Sequence, residues 1–149
     1  MVSIVRGDLL EANVPYICHQ VNCQGVMGAG VARQIHYKWP YVFDRYRELC
    51  EKTKSKQNLL GTIQIVSGED GAPNVINIFG QFGYGKNGVY TDYAALRNAF
   101  KELDKRFAGK TLAFPHGFGC GLAGGDWKDV EQMIVQCMPH CDVRIYMKG

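Results

Sequence analysis

The chain has 149 residues, 46% of them apolar and 21% charged, which is the size and balance of one folded domain with its own hydrophobic core. A disordered, collagen-like or coiled-coil chain is excluded as the whole answer. The formal net charge of +3, with no basic stripe, argues against a nucleic-acid module, and no apolar run reaches the roughly 18 residues that a membrane helix needs.

Short apolar runs bounded by turn residues read as buried strands. The first is Ser3-Ile4-Val5, leading into Arg6-Gly7-Asp8; the charges inside this opening segment do not fit a secretory signal. Tyr16 to Val21 follows and ends at Asn22. Ala29 to Trp39 reads as an amphipathic helix with Val31 and Ile35 on one face, broken by Pro40, and Tyr41 to Glu51 as a second helix. Lys52 to Asn58 is a polar surface connection, too short for a domain boundary. Gly61 to Val66 alternates polar and apolar, and Val75 to Phe79 is a continuous apolar strand. Thr91 is the expected N-cap of a helix from Asp92 to Phe107, whose stripe is Leu96, Ala99, Phe100, Leu103 and Phe107. Thr111 to Phe114 is a strand, Asp126 caps a last helix through Cys137, and Val143 to Met147 closes the chain as a strand. The order predicts a single-domain α/β fold, a three-layer α/β/α sandwich with a mixed central sheet.

Six cysteines stand at Cys18, Cys23, Cys50, Cys120, Cys137 and Cys141. Without a secretory signal they read as free thiols of a cytoplasmic protein. Cys137, His140 and Cys141 lack a fourth ligand at finger-like spacing, so neither a structural metal nor a cofactor is expected.

Glycine is the unusual component: the chain has 18, against roughly ten at average usage. Twelve fall in three clusters, Gly25 to Gly30, Gly80 to Gly88 and Gly117 to Gly125, each following the end of a predicted strand. In open α/β sheets that end of the strands is where ligands sit, so the clusters predict one site assembled from three loops. The first and third run from a strand into a helix, where free N–H groups and glycine let a phosphate approach closely. Gly119 to Gly124 matches G-x-G-x-x-G, but it lies near the C-terminus, not after the first strand as a dinucleotide fingerprint requires.

Gly7-Asp8-Leu9, then His19-Gln20-Val21-Asn22 with Met27-Gly28-Ala29-Gly30-Val31-Ala32, then Gly119-Cys120-Gly121-Leu122 before Trp127, resemble the macrodomain family across essentially the whole chain. The resemblance points to the branch with the ADP-ribose-1″-phosphate phosphatase and the terminal ADP-ribose glycohydrolase. It implies that Asp8 binds the adenine amino group and Leu9 lends a backbone N–H. Gly28, Ala29, Gly30 and Val31 would wrap the diphosphate from one side, with Gly119, Cys120, Gly121 and Leu122 on the other. Asn22 would reach the distal ribose. The residues suit these roles, since a carboxylate accepts, glycine N–H groups face phosphate and an amide reads hydroxyls. The sequence departs from the lysine-dependent glycohydrolases of that branch: their lysine falls on Gly80 or Gln81, and their acid on Ala123. Lys86, on the second glycine loop, is displaced by several residues from the lysine's place.

Single residues carry two readings each. Asp8 and Asn22 are ligand contacts or turn-forming side chains. His116 is a general acid or base, or a solvent-facing loop histidine. Asp126 is a helix cap with a possible catalytic role, and Cys120 a small side chain that the turn requires or a thiol nucleophile. Phe82, Tyr84 and Phe118 are aromatics placed to pack on a sugar or adenine. His19 reads as a hydrogen-bonded core residue. The expected partner is ADP-ribose or an ADP-ribosylated substrate, with no membrane and with nucleic acid only as a modified substrate. Two functions compete: hydrolysis of an ADP-ribose derivative by activated water, and binding of ADP-ribose without turnover.

Overall fold

The computed structural model describes residues 1–148. Five strands, β1 (Val2–Arg6), β2 (Tyr16–Val21), β4 (Asn74–Phe79), β5 (Thr111–Pro115) and β6 (Asp142–Met147), run parallel, and β3 (Ile63–Val66) runs antiparallel against β4. They form one sheet in the order β1-β6-β5-β2-β4-β3, with helices α1 (Gly30–Lys38) and α2 (Pro40–Lys52) on one face and α3 (Tyr93–Arg106) and α4 (Trp127–Cys137) on the other. The mixed sheet between two helical layers is the expected architecture, and the order of strands and helices is as read from the sequence.

Strand alternation divides the core in two. Ile17, Val21, Val75 and Phe79 turn towards Ile35, Val42 and Tyr46 of α1 and α2, while Cys18, Ile76 and Ile78 turn towards Leu96, Phe100 and Ile134 of α3 and α4. The nine residues of α1 are too few for a helix stable by itself, so burial of Ile35 holds it. Pro40 opens α2 from its first position, where the missing N–H costs nothing.

One boundary differs from expectation. Asp92, not Thr91, is the N-cap of α3, its carboxylate accepting from the Ala95 N–H at 2.9 Å. The Thr91 hydroxyl is committed elsewhere, donating to the Gly119 carbonyl at 2.6 Å.

Because five strands are parallel, their C-terminal ends share one edge. That edge gathers Asp8 after β1, Lys148 after β6, His116 after β5, Asn22 after β2 and Gly80 after β4. All three glycine clusters therefore meet there.

Candidate functional site

The first loop runs from Asn22 into α1. The Asn22 side chain is buried and organises the turn: Nδ2 donates to the Val26 carbonyl at 2.8 Å, and Oδ1 accepts from the Gln24 N–H at 2.9 Å. One Nδ2 hydrogen is left over. The Cys23 N–H donates to the Phe82 carbonyl at 3.0 Å, tying this loop to the second glycine loop. Beyond it, the N–H groups from Gly28 to Ala32 have no acceptor among the described residues, and Ala29 supplies no side-chain cap. This is an open helix N-terminus on glycine-rich backbone, with its positive end towards the edge.

The third loop answers it from β5, the neighbour of β2. The N–H groups of Gly121, Leu122 and Ala123 also lack acceptors among the described residues. A Cβ added at Gly121 would meet nothing within 4 Å, so this stretch lines open space. Gly119 and Gly124 take φ of +74° and +77°, in the left-handed region that favours glycine. Two runs of free donors on adjacent strand ends make a cradle for an extended anion.

Asp8 stands two strands from β5, after β1. Its Oδ1 accepts from the Leu10 N–H at 3.0 Å, opening a single turn of 3-10 helix at Leu9–Glu11, while Oδ2 lies 3.5 Å from Lys148 Nζ. The carboxylate is half-exposed and keeps acceptor capacity. The Leu9 side chain itself is buried.

Of three other predicted residues, Phe118 departs from its reading. The Phe118 ring packs at 5.4 Å from Phe114 and 5.8 Å from Phe100, in the α3–α4 core. The expectation that it packs on a sugar or adenine does not hold, because burying an aromatic ring there outweighs exposing it at a loop. His116 is exposed and its ring lies 4.8 Å from that of Trp127 on α4, whereas the Asn22 side chain is held by Tyr46 of α2. Asp126 caps α4, accepting from the Lys128 N–H at 2.9 Å.

Cys120 donates its thiol to the Phe118 carbonyl at 3.2 Å, and burial, with the Asp126 charge adding to it, pushes the thiol up to about 11. A protonated thiol is a poor nucleophile, so these surroundings do not activate Cys120. Phe82 and Tyr84 are exposed on the second loop, as is Lys86. At Gly80, a Cβ would collide with the Gln20 carboxamide and come 2.5 Å from Leu96 Cδ2, so a side chain there would have to displace both.

His19 is fully buried in β2 and its Nε2 lies 2.5 Å from Asn77 Oδ1; burial lowers its pKa to about 4, against the opposing pull of that bond. His140 pairs with Asp104 at 2.7 Å, and Cys141 turns its thiol to the Phe107 carbonyl. No group of three or more metal-ligating side chains forms among the described residues, and no described helix is long and apolar enough to cross a membrane.

The structure adds roles for residues to which the sequence reading gave none at the site. Tyr46 of α2 holds the first loop through Asn22, Gly25 and Val26. Beneath the second and third loops, Gln20 Nε2 donates to Gln81 Oε1 at 2.9 Å and to Thr91 Oγ1 at 3.0 Å. These partners are 20 to 71 residues apart, so only folding brings them together. A groove of about 560 Å³ lined by Ala12, Asn13, Trp39, Tyr41, Ala72 and Pro73 lies towards the other edge, where β2 and β4 begin, and contains none of the loop donors.

Known proteins share this fold. The Macro domain family model matches residues 18–134. The chain is 32% identical over 154 residues to the DNA ADP-ribosyl glycohydrolase of Mycobacterium tuberculosis, covering 98% of this chain but 42% of that protein. It is 29% identical to the ADP-ribose 1″-phosphate phosphatase of Scheffersomyces stipitis, covering 90% of this chain and 93% of that one. The solved macrodomain of Mycobacterium tuberculosis DarG superposes with a TM-score of 0.81 at 28% identity, covering 98% of this chain and 97% of that one. With a donor-lined cradle on a mixed six-stranded sheet and a family match over most of its length, this chain belongs to the macro domain family.

Proposed function

We propose that the chain binds ADP-ribose across the C-terminal edge of its sheet and hydrolyses a derivative substituted at the distal ribose. The observation that carries this reading is the pair of unpartnered N–H runs, Gly28 to Ala32 and Gly121 to Ala123, on adjacent strand ends. Only a group with several acceptor oxygens satisfies both runs at once, and a diphosphate is such a group. Asp8 supplies an acceptor for the adenine amino group, and the spare Nδ2 hydrogen of Asn22 serves the distal ribose.

Water is the nucleophile in this mechanism. Gly80 carries no side chain, and the Gln81 carboxamide is held by Gln20 and by the Gly83 carbonyl at 2.8 Å, so neither position places an amine at the β4 end. The site contributes orientation, fixing the ligand so that a water beside the distal ribose or its phosphate attacks in line. The second Asp126 oxygen and the His116 ring are the candidates for moving a proton. The relatives, a DNA glycohydrolase and a phosphatase of ADP-ribose 1″-phosphate, support hydrolysis over binding alone.

The test is direct. The protein is incubated with ADP-ribose 1″-phosphate, with ADP-ribosylated protein and with ADP-ribosylated DNA, and free ADP-ribose is followed by chromatography. Release from one of them is expected. Tight ADP-ribose binding with no release from any would leave a binding module; no thermal shift with millimolar ADP-ribose would reject the site itself.

A further inference from the structure

We infer that Thr91, oriented by Gln20, is the positioning residue that keeps the third loop's N–H groups aimed at the anion; this rests on the binding reading above. The free donors Gly121 to Ala123 are strung between two locked peptide groups. At one end, the Gly119 carbonyl accepts from Thr91 Oγ1 at 2.6 Å and from the Gly125 N–H at 2.9 Å, while the Cys120 N–H donates to the Gly117 carbonyl at 2.8 Å. At the other end, the Ala123 carbonyl accepts from the Tyr90 and Thr91 N–H groups at 2.7 and 3.1 Å, and the Gly124 N–H donates to the Gly121 carbonyl at 3.0 Å. Residues 90 and 91 thus hold both ends of the segment.

Locking matters because this backbone is rich in glycine. A peptide flanked by glycines turns over at little steric cost, and a flipped one would present a carbonyl oxygen where the phosphate needs a donor. The Thr91 hydroxyl holds the Gly119–Cys120 peptide, the anchor from which the three free donors run. Its own direction is set in turn: Gln20 Nε2 donates to the hydroxyl oxygen at 3.0 Å, leaving the hydroxyl hydrogen for the Gly119 carbonyl. The other Nε2 hydrogen goes to Gln81 Oε1 at 2.9 Å, so one carboxamide in β2 couples the second loop to the third.

The space around the clamp is closed. A Cβ at Gly119 would lie 3.0 Å from Gln20 Oε1 and 3.2 Å from Thr91 Oγ1, and one at Gly125 would lie 2.6 Å from the Gly119 carbonyl oxygen and 3.4 Å from Thr91 Cβ. Thr91 is itself buried. No atom of the clamp lies within 4 Å of a Cβ placed at Gly121, so its effect on a ligand there runs through the loop.

Wild type, Thr91→Val and Thr91→Ser are titrated with ADP-ribose by calorimetry and with adenosine by NMR, with melting temperatures in parallel. Thr91→Val keeps the shape and removes the hydroxyl; it should lose roughly tenfold in ADP-ribose affinity, the scale of one buried hydrogen bond, while adenosine affinity is unchanged. Thr91→Ser restores the hydroxyl and should recover affinity to within about threefold of wild type. Equal ADP-ribose affinity in wild type and Thr91→Val overturns the inference, as does an equal loss for adenosine, which would mean general loosening. If Thr91→Val does not fold, Gln20→Leu removes the orienting donor and should weaken ADP-ribose selectively; normal affinity in that variant overturns it as well. A wild type that fails to bind ADP-ribose rejects the binding reading itself, a result distinct from binding that is insensitive to Thr91.

Discussion

The Tyr46 hydroxyl lies 2.7 Å from the main-chain oxygen of Asn22 and 2.8 Å from its Oδ1. The same oxygen accepts the Gly25 and Val26 N–H groups, both at 3.2 Å. A phenol has one proton, so the two Asn22 oxygens share it. Burial holds the phenol far above its ordinary range, with the neighbouring Cys50 adding to the shift, so Tyr46 remains a donor at any working pH. A residue in the middle of α2 thereby shapes the turn that leads into α1.

Tyr46→Phe removes that hub while keeping the ring in the core. The Gly25 and Val26 N–H groups lose their acceptor, which should cost about 1–3 kcal/mol of stability. Urea unfolding measures it, and ADP-ribose affinity should fall alongside as the turn loosens. Unchanged stability would mean that the turn holds itself.

Two glycines of the third loop should respond in opposite ways. Gly121→Glu leaves the fold intact, because the new side chain enters open space, but it puts bulk and negative charge in the phosphate path and abolishes ADP-ribose binding. Gly125→Ala drives a methyl to 2.6 Å from the Gly119 carbonyl oxygen and should lower the melting temperature before any ligand is added. Thermal melts with and without ADP-ribose separate the two; a Gly121→Glu variant that binds normally would move the ligand elsewhere.

Asp8→Ala tests the adenine end. Removing the Asp8 carboxylate should weaken ADP-ribose binding by roughly tenfold, the scale of one charge-assisted hydrogen bond. Ribose-5-phosphate, which lacks adenine, should bind both proteins alike. Equal ADP-ribose affinity would reassign the adenine pocket.

His19 gives the fold a pH dependence of definite sign. Its pKa is about 4 when folded and 6.5 in the reference state, so the unfolded chain takes up a proton that the folded chain refuses. Stability from keeping it neutral is complete above pH 6.5 and is lost as pH falls towards 4, by roughly 3 kcal/mol at about 1.4 kcal/mol per pKa unit. Urea midpoints from pH 7 to pH 4 measure the slope, and His19→Gln should flatten it. An equally steep wild-type and variant profile would place the dependence on other groups.

Turnover should not depend on a lysine. Lys86→Ala should lose less than roughly tenfold in rate, about 1.4 kcal/mol of barrier, since its side chain is exposed on the second loop. Asn22→Ala should lose more, because it disturbs both the turn and the hold on the distal ribose. Loss of all activity in Lys86→Ala, with an adduct trapped by borohydride, would relocate the nucleophile to that loop.

The sequence by itself determined the order of strands and helices, the mixed sheet between two helical layers and the loops that form the edge. Those features rest on local information: strand alternation, helical stripes, Pro40 and the glycines that follow β2, β4 and β5. Asp126 was legible as a cap for the same reason, since a cap bonds within its own turn. Tertiary structure alone decided which residues hold the loops in place. Tyr46, Gln20 and Thr91 lie in or beside regular elements, and their partners are far off in sequence. It also decided against Phe118 as a ligand contact: a loop aromatic beside glycines reads the same whether it faces out or in, and only the space left between Phe100 and Phe114 drew it into the core. Thr91 lost its capping role in the same way: folding brought the Gln20 carboxamide to donate to its oxygen at 3.0 Å, and the Asp92 carboxylate took the Ala95 N–H instead.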